Sequence, residues 1–572
     1  MKSFSLQPSA FIVSFIPLAP FAGLALILSS FIPAGAFAQN GSSTASIASE
    51  NQPTNATQAT GAPSQWGDWR AWGDQGDGTY VNPVLPADFS DIDCIRVGSD
   101  YYAISSTFQF SPGMVILHSR DLVNWTMISH AVVDLTQISP ELNWDKMNRY
   151  GRGIWAGSIR YHDGKFWIYF GTSDEGYFMT TAKDISGPWA PLHCVLKEAG
   201  WDDCCPFWDD DGRGYLVGAC FRDGYQIHLW KLTADGRDLV PHSDLVIHQS
   251  RGSEANKLYK FNGVYYHLFS EVNKEGRVVM MERSKNIFGP YTEVKQLNHA
   301  DREAHEPNQG GLVQTEQDDW YWFTHHGTGA WEGRCASLLP VTWIRGWPII
   351  GRVGPDGIGQ MVWSGKKPVS GTPVVTPRTD DEFDEPSLPP QWEWNYQPRA
   401  GKWSLTERPG WLRLHAFKPL QPDNLLKAGN TLTQRAFRTT TNIVTLCFDF
   451  SGMTDGQVTG LCHFSRDYSA LGVRQQGATR TIEFQHDQKI TPGPVISTQR
   501  LWLRSTWGLT GRSEYSYSVD GTSFTSLGET YQLGWGHYRG DRIGIYCYND
   551  KDDNGYVDVD FFHYQTNRHP TP

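Results

Sequence analysis

Basic residues are few and scattered in this chain. It carries 49 Lys and Arg against 61 Asp and Glu over 572 residues, a formal charge of −12. No long Lys/Arg block occurs, so the phosphate attraction that drives nucleic-acid binding is missing. Charged residues of both signs make up only 19%, and a neutral partner such as a polysaccharide fits that balance. Apolar runs of membrane-spanning length are also lacking, apart from one between about Ala10 and Ile32. Lys2 precedes that run, Pro17, Pro20 and Pro33 interrupt it, and Ala36-Phe37-Ala38 offers a small-x-small cleavage site. The pattern predicts an export signal over 1–38, removed on passage to the periplasm or the medium, leaving no membrane segment. No Cys follows the cleavage site, which argues against a lipid anchor.

Helical periodicity is absent beyond the signal, which excludes a helical bundle. Nine cysteines make an odd count, so any monomeric disulfide scheme leaves at least one unpaired. Cys205 and Cys220 flank the turn at Asp210–Gly214, and Cys447 and Cys462 flank that at Gly452–Gly456. Either pair is a candidate bridge across a hairpin in an oxidising compartment, although directly opposed strand positions often fit disulfide geometry poorly.

Aromatics and glycine are abundant instead: 24 Trp, 24 Tyr, 28 Phe and 57 Gly. Together with the low charge they favour β-rich domains, and ring faces also suit the C–H faces of sugars. Five segments share one plan: an apolar strand, a polar turn, then a strand opening on aromatics. The turns lie at Gly98-Ser99-Asp100, His162-Asp163-Gly164, Asp210-Asp211-Gly212, Phe261-Asn262-Gly263 and Gln317-Asp318-Asp319. Counted between the aromatics that follow (Tyr101, Phe166, Tyr215, Tyr265 and Trp320), the spacings are 65, 49, 50 and 55 residues. Periods near fifty with hairpin turns predict a five-bladed β-propeller.

The organisation that follows is a signal at 1–38, a Ser/Thr/Asn/Gln-rich linker at 39–65, and the propeller at 66–365. A Pro-bearing linker occupies 366–377. Residues 378–566 carry many short alternating strands, such as Val444-Thr445-Leu446-Cys447-Phe448 and Val557-Asp558-Val559-Asp560-Phe561, and predict a β-sandwich.

About eleven residues before each blade aromatic stand Asp91, Trp155, Asp203, Glu254 and Gln309. Equal offsets place them at equal height around one axis, so the ring holds three carboxylates. Glycoside hydrolysis needs two carboxyl groups flanking the scissile bond. Asp203 and Glu254 are neighbours in this ring, so a like charge beside Glu254 pushes it toward the acid role. Asp91, farther away, is free to act as base on a water, which is the inverting geometry.

The blocks around these residues resemble glycoside hydrolase family 43, which includes β-xylosidases and α-L-arabinofuranosidases. They are Asn82 to Asp93, Ser106 to Gly113, His118 to Trp125, Trp155-Ala156, Trp201 to Phe207, Glu254 to Lys260 and Gly333-Arg334. The region after them is similar to the concanavalin-like sandwich appended to many members. The resemblance implies a five-bladed propeller and net inversion. It places the base on Asp91, the acid on Glu254, and the residue tuning that acid on Asp203. It also implies that Phe108 and Trp155 wall the terminal-sugar subsite and that Arg334 donates to sugar hydroxyls. The chain departs from the common pattern at Ile92 and Cys204, where many members have Pro, and at Ala255, where Gly is frequent. Some members hold a metal near the axis through a His; here Asn308-Gln309-Gly310-Gly311 occupies that stretch.

No redox cofactor is required. A structural Ca²⁺ is an option at Asp209-Asp210-Asp211-Gly212 or between Glu382 and Asp558 or Asp560, with a simple hairpin turn as the competing account of the first. His325-His326 either contacts substrate or satisfies a strand hydrogen bond. The expected activity is a secreted inverting exo-glycosidase releasing terminal xylosyl or arabinofuranosyl units from hemicellulose-derived oligosaccharides of xylan, arabinoxylan or arabinan. An endo-arabinanase and a non-catalytic glycan-binding propeller are the alternatives.

Overall fold

A computed structural model describes residues 69–300, 307–327 and 330–567. The expected export signal and the 39–65 linker lie outside the described residues. Each of the five turns read from the sequence joins the first two strands of an antiparallel blade. Blade one runs Asp93–Val97, Asp100–Ser105, Gly113–Ser119 and Trp125–Val132. Blades two, three and four open on Gly157–His162, Trp201–Trp208 and Glu254–Phe261. Blade five opens on Gly310–Gln314.

The opening strands pack side by side around the axis, blade five returning to blade one. Between blades four and five the Leu312 N–H donates to the Tyr259 hydroxyl at 3.1 Å. At the closing seam only glycine fits: a Cβ on Gly311 would lie 2.4 Å from the backbone nitrogen of Cys94. The same seam is stacked, Trp125 against Phe323 with ring centroids 4.4 Å apart, a contact worth about 0.5–1.5 kcal/mol beyond its buried area. The ring is also zipped by the two ends of the propeller segment. Leu85–Asp88 pairs with the third strand of blade five, and Thr79–Val81 pairs with Ser364–Lys366.

The sandwich has two sheets. One orders Lys489–Ile496, Thr479–His486, Tyr468–Gln476, Gln457–Phe464, Arg542–Asn549, Thr431–Arg435 and Glu393–Asn395, and its eighth strand is Phe110–Ser111 from the propeller. A propeller loop thus completes a sandwich sheet. Charge seals the junction. The Glu393 carboxylate, fully buried, meets His130 of blade one at 3.1 Å, Arg435 at 3.0 Å and Arg542 at 2.6 Å. Arg435 Nε also donates to the backbone oxygen of Asp88 at 2.6 Å, three residues before Asp91. Even the stretch read as a linker is anchored at its start: Lys367 is buried against Asp74 and Asp121.

The two disulfide candidates are overturned: all nine cysteines are free. Cys205 pairs across its hairpin with Val217 and Cys220 with Trp201, so the two are offset along the strands. Cys447 and Cys462 lie on Asn442–Asp449 and Gln457–Phe464, which belong to different sheets.

Candidate active site

The five ring positions fall where the blades' opening strands begin; two of them, and the residue after a third, share one backbone device. Asp91, Asp203 and Ala255 adopt φ values of 56°, 49° and 62°, the left-handed region that side chains rarely tolerate. In blade three the pairing register shifts between Asp202 and Cys205, and in blade four between Glu254 and Lys257. Such bulges re-aim side chains, here toward the axis. The departures Cys204 and Ala255 sit inside these bulges and leave the carboxyls in place.

Asp91 is 7% exposed. Its Oδ1 accepts from Arg334 Nη1 at 2.7 Å and its Oδ2 from Ser106 Oγ at 2.7 Å. Its backbone N–H donates to His325 Nδ1 at 2.7 Å, so His325 orients the Asp91 backbone. His326 bonds Ser337 within blade five.

Asp203 is 3% exposed. Its Oδ2 accepts the Ala255 N–H and Gln309 Nε2, the latter at 2.6 Å. Burial pushes its carboxyl above the usual carboxylate range and the Asp91 charge adds to this, against the Ala255 N–H and the Lys257 ammonium. Glu254 receives Arg277 Nη1 at 3.1 Å and Asn308 Nδ2 at 3.2 Å on Oε1. Its side chain is 25% exposed against 9% for Asp91. Glu254 therefore faces the open side of the site, and Asp91 the closed side.

Of the expected wall residues, Phe108 is 2% exposed and its N–H donates to the Ile154 carbonyl. Trp155 is half-buried and meets Phe221 at 6.3 Å and Tyr538 at 5.9 Å between ring centroids. Arg334 binds Asp91 directly and stacks its guanidinium 5.6 Å from the Tyr538 ring. Tyr538 belongs to the sandwich, is 42% exposed, and accepts Ser90 Oγ on its carbonyl at 3.2 Å.

Ser106, Arg277, Asn308 and Tyr538 had no assigned role from the sequence. Ser106 lies inside a block that carried the resemblance, and Asn308 is next to a ring position, so both were within reach. Arg277 comes from the third strand of its blade and Tyr538 from the other domain, where the repeat offset says nothing. The acidic stretches considered for Ca²⁺ already have side-chain partners: Asp209 the Lys260 ammonium, Asp558 the Arg413 guanidinium at 2.7 Å, and Glu382 the His563 ring at 2.7 Å. Among the described residues, no group of three or more His, Cys, Asp or Glu side chains is arranged to hold a metal ion.

Carboxyls from three blades converging at one end of a propeller axis, bordered by Trp155 and Tyr538 and flanked by a sandwich, define a glycoside hydrolase. The family described as glycosyl hydrolases family 43 matches residues 80–348, and the beta xylosidase C-terminal concanavalin A-like domain matches residues 380–565. The chain belongs to glycosyl hydrolases family 43. A beta-xylosidase of Formosa agariphila is 38% identical over 547 residues, covering 86% of this chain and 91% of its own. A non-reducing end alpha-L-arabinofuranosidase of Bacteroides ovatus is 31% identical, over 59% of this chain and 65% of its own. Among solved structures, a bifunctional GH43-CE protein of Bacteroides eggerthii superposes with a TM-score of 0.75 at 29% identity. It covers 85% of this chain, which spans 64% of the length of that protein.

Proposed function

We propose that this hydrolase is an inverting exo-glycosidase that removes a terminal β-D-xylosyl or α-L-arabinofuranosyl unit from oligosaccharides of xylan, arabinoxylan or arabinan. Asp91 is the base that activates water, Glu254 the acid that protonates the leaving oxygen, and Asp203 the residue that tunes Glu254. The observation that carries the reading is the join between them. Gln309 and Asn308, adjacent in sequence, donate to Asp203 and Glu254, while Arg334 and Ser106 hold Asp91 from the other side.

The roles follow from surroundings. A base needs its lone pairs aimed and its position fixed, which the bonds to Asp91 supply. An acid must reach the leaving group, and Glu254 is the most exposed of the three carboxyls. Tyr538 narrows the site from the sandwich side, which supports a blind pocket that takes a chain end over a groove that takes its middle. We also propose export through the N-terminal signal, which would place the enzyme with polymeric or oligomeric glycans outside the cytoplasm.

The test compares wild type, Asp91→Ala and Glu254→Ala on aryl β-D-xylopyranoside and aryl α-L-arabinofuranoside, with NMR reading the first anomer released. Losing a general acid or base costs about 10²–10⁴-fold. Unchanged rates in either variant reject its role, and first release of the retained anomer rejects inversion.

A further inference from the structure

Asp202 has a place in the site that the three-carboxyl scheme leaves unused. It stands one residue before Asp203, at the edge of the blade-three bulge, and is only partly buried. Its Oδ1 accepts the Asp203 backbone N–H at 2.8 Å. The two side-chain carboxyls themselves lie within hydrogen-bonding reach of one another. Blade two closes over the pair from the side. The Tyr177 hydroxyl donates to the Asp202 carbonyl at 2.7 Å, and a Cβ on Gly171 would come within 3.1 Å of the Asp202 Cα.

We propose that Asp202 and Asp203 act as one acid–carboxylate pair holding a single proton, with Asp202 the neutral member that orients Asp203 and limits the charge beside Glu254. The inference rests on the reading of Asp203 given above. Two carboxylates in contact repel one another, so each disfavours ionisation of the other, the more so here because Asp203 is buried. The groups around them decide which one keeps the proton. Asp203 has the Ala255 N–H, the Gln309 amide and the Lys257 ammonium drawing negative charge onto it. Asp202 has the Asp203 N–H alone on Oδ1, and faces the like charges of Asp203, Glu254 and Asp91. Arg277 is committed to Glu254 and Arg334 to Asp91. The proton therefore sits on Asp202 and points at Asp203. The pair together titrates as one unit.

Asp202 is a positioning residue, and its neutral form sets the test. Asp202→Asn keeps the shape, the neutrality and an N–H that reaches Asp203; Asp202→Leu keeps only shape and neutrality. Expected is a kcat loss of roughly 10- to 100-fold in Asp202→Leu, the scale of a lost bond to a charged group, with at least tenfold of it recovered in Asp202→Asn. The alkaline limb of kcat/KM should move to higher pH in Asp202→Asn, because the proton whose loss would crowd the site with charge is gone. Infrared difference spectra of wild type minus Asp202→Asn at pH 7 should show the C=O stretch of a protonated carboxyl, a readout independent of turnover. Equal kcat in wild type and Asp202→Leu would overturn the proposal. Asp202→Asn as impaired as Asp202→Leu, or no protonated-carboxyl band, would overturn the neutral assignment. Failure of the underlying reading shows separately, as retained activity in Asp91→Ala and Glu254→Ala.

Discussion

Gln309 Nε2 donates to Asp203 Oδ2 at 2.6 Å, and the residue before it, Asn308, donates to Glu254 Oε1 at 3.2 Å. One strand entry in blade five thus serves two carboxyls from blades three and four. A hydrogen bond to a charged group is worth about 1.5–3 kcal/mol. Gln309→Ala is expected to lower kcat/KM on an aryl xyloside by roughly 10- to 100-fold with the melting temperature little changed. Gln309→Glu is expected to be worse, because it sets another carboxyl against Asp203. Steady-state kinetics alongside thermal melts check both.

Tyr538 tests whether the sandwich belongs to the pocket. Its ring packs on Trp155 and under the Arg334 guanidinium, contacts of about 0.5–1.5 kcal/mol each. Tyr538→Ala should raise KM by roughly 5- to 30-fold with a smaller change in kcat, and Tyr538→Phe should restore most of the loss. A KM unaltered in Tyr538→Ala would remove the sandwich from the site.

Glu393 tests the junction. Burial by itself raises its carboxyl, but the Arg435 and Arg542 charges and the His130 bond outweigh that and hold it well below the usual range. A depressed folded value stabilises the protein above the unfolded value of about 4.3 and loses that stabilisation as pH falls. Glu393→Ala strands two buried guanidiniums and should cost about 3–5 kcal/mol at pH 7. Chemical denaturation across pH 3–7 should show wild type converging on the variant at the acid end.

Asp202 has the opposite sign. Burial, then the charges of Asp203, Glu254 and Asp91, push its carboxyl well above the usual range. A raised folded value is a stabilising contribution only below the unfolded value of about 3.9, and it is lost as pH rises. Asp202→Asn should therefore be more stable than wild type at pH 7 and equal to it near pH 3. Melting curves at the two pH values decide this. A site residue that destabilises its own fold is the expected trade of function against stability.

Much of this architecture was legible in the chain. The polar turns at His162-Asp163-Gly164 and Phe261-Asn262-Gly263 are hairpin signals that need no distant partner, and each proved to join the first two strands of a blade. The offset from those turns reached the ring positions because strand length between turn and axis is repeated. The disulfide reading failed for the matching reason. It treated Cys447 and Cys462 as hairpin partners, whereas the chain crosses between the two sheets after Asp449 and the turn does not close a ladder.

By itself the sequence determined blade number and strand alternation, since turn chemistry and apolar periodicity act over a few residues. Only the tertiary structure decided that Asp91 and Asp203 take left-handed backbone at the strand entries, that Arg277 reaches Glu254, and that Tyr538 crosses from the sandwich to face Trp155. Those relations join residues tens to hundreds of positions apart. Their geometry is set by how sheets close on one another, and no local preference of the chain encodes it.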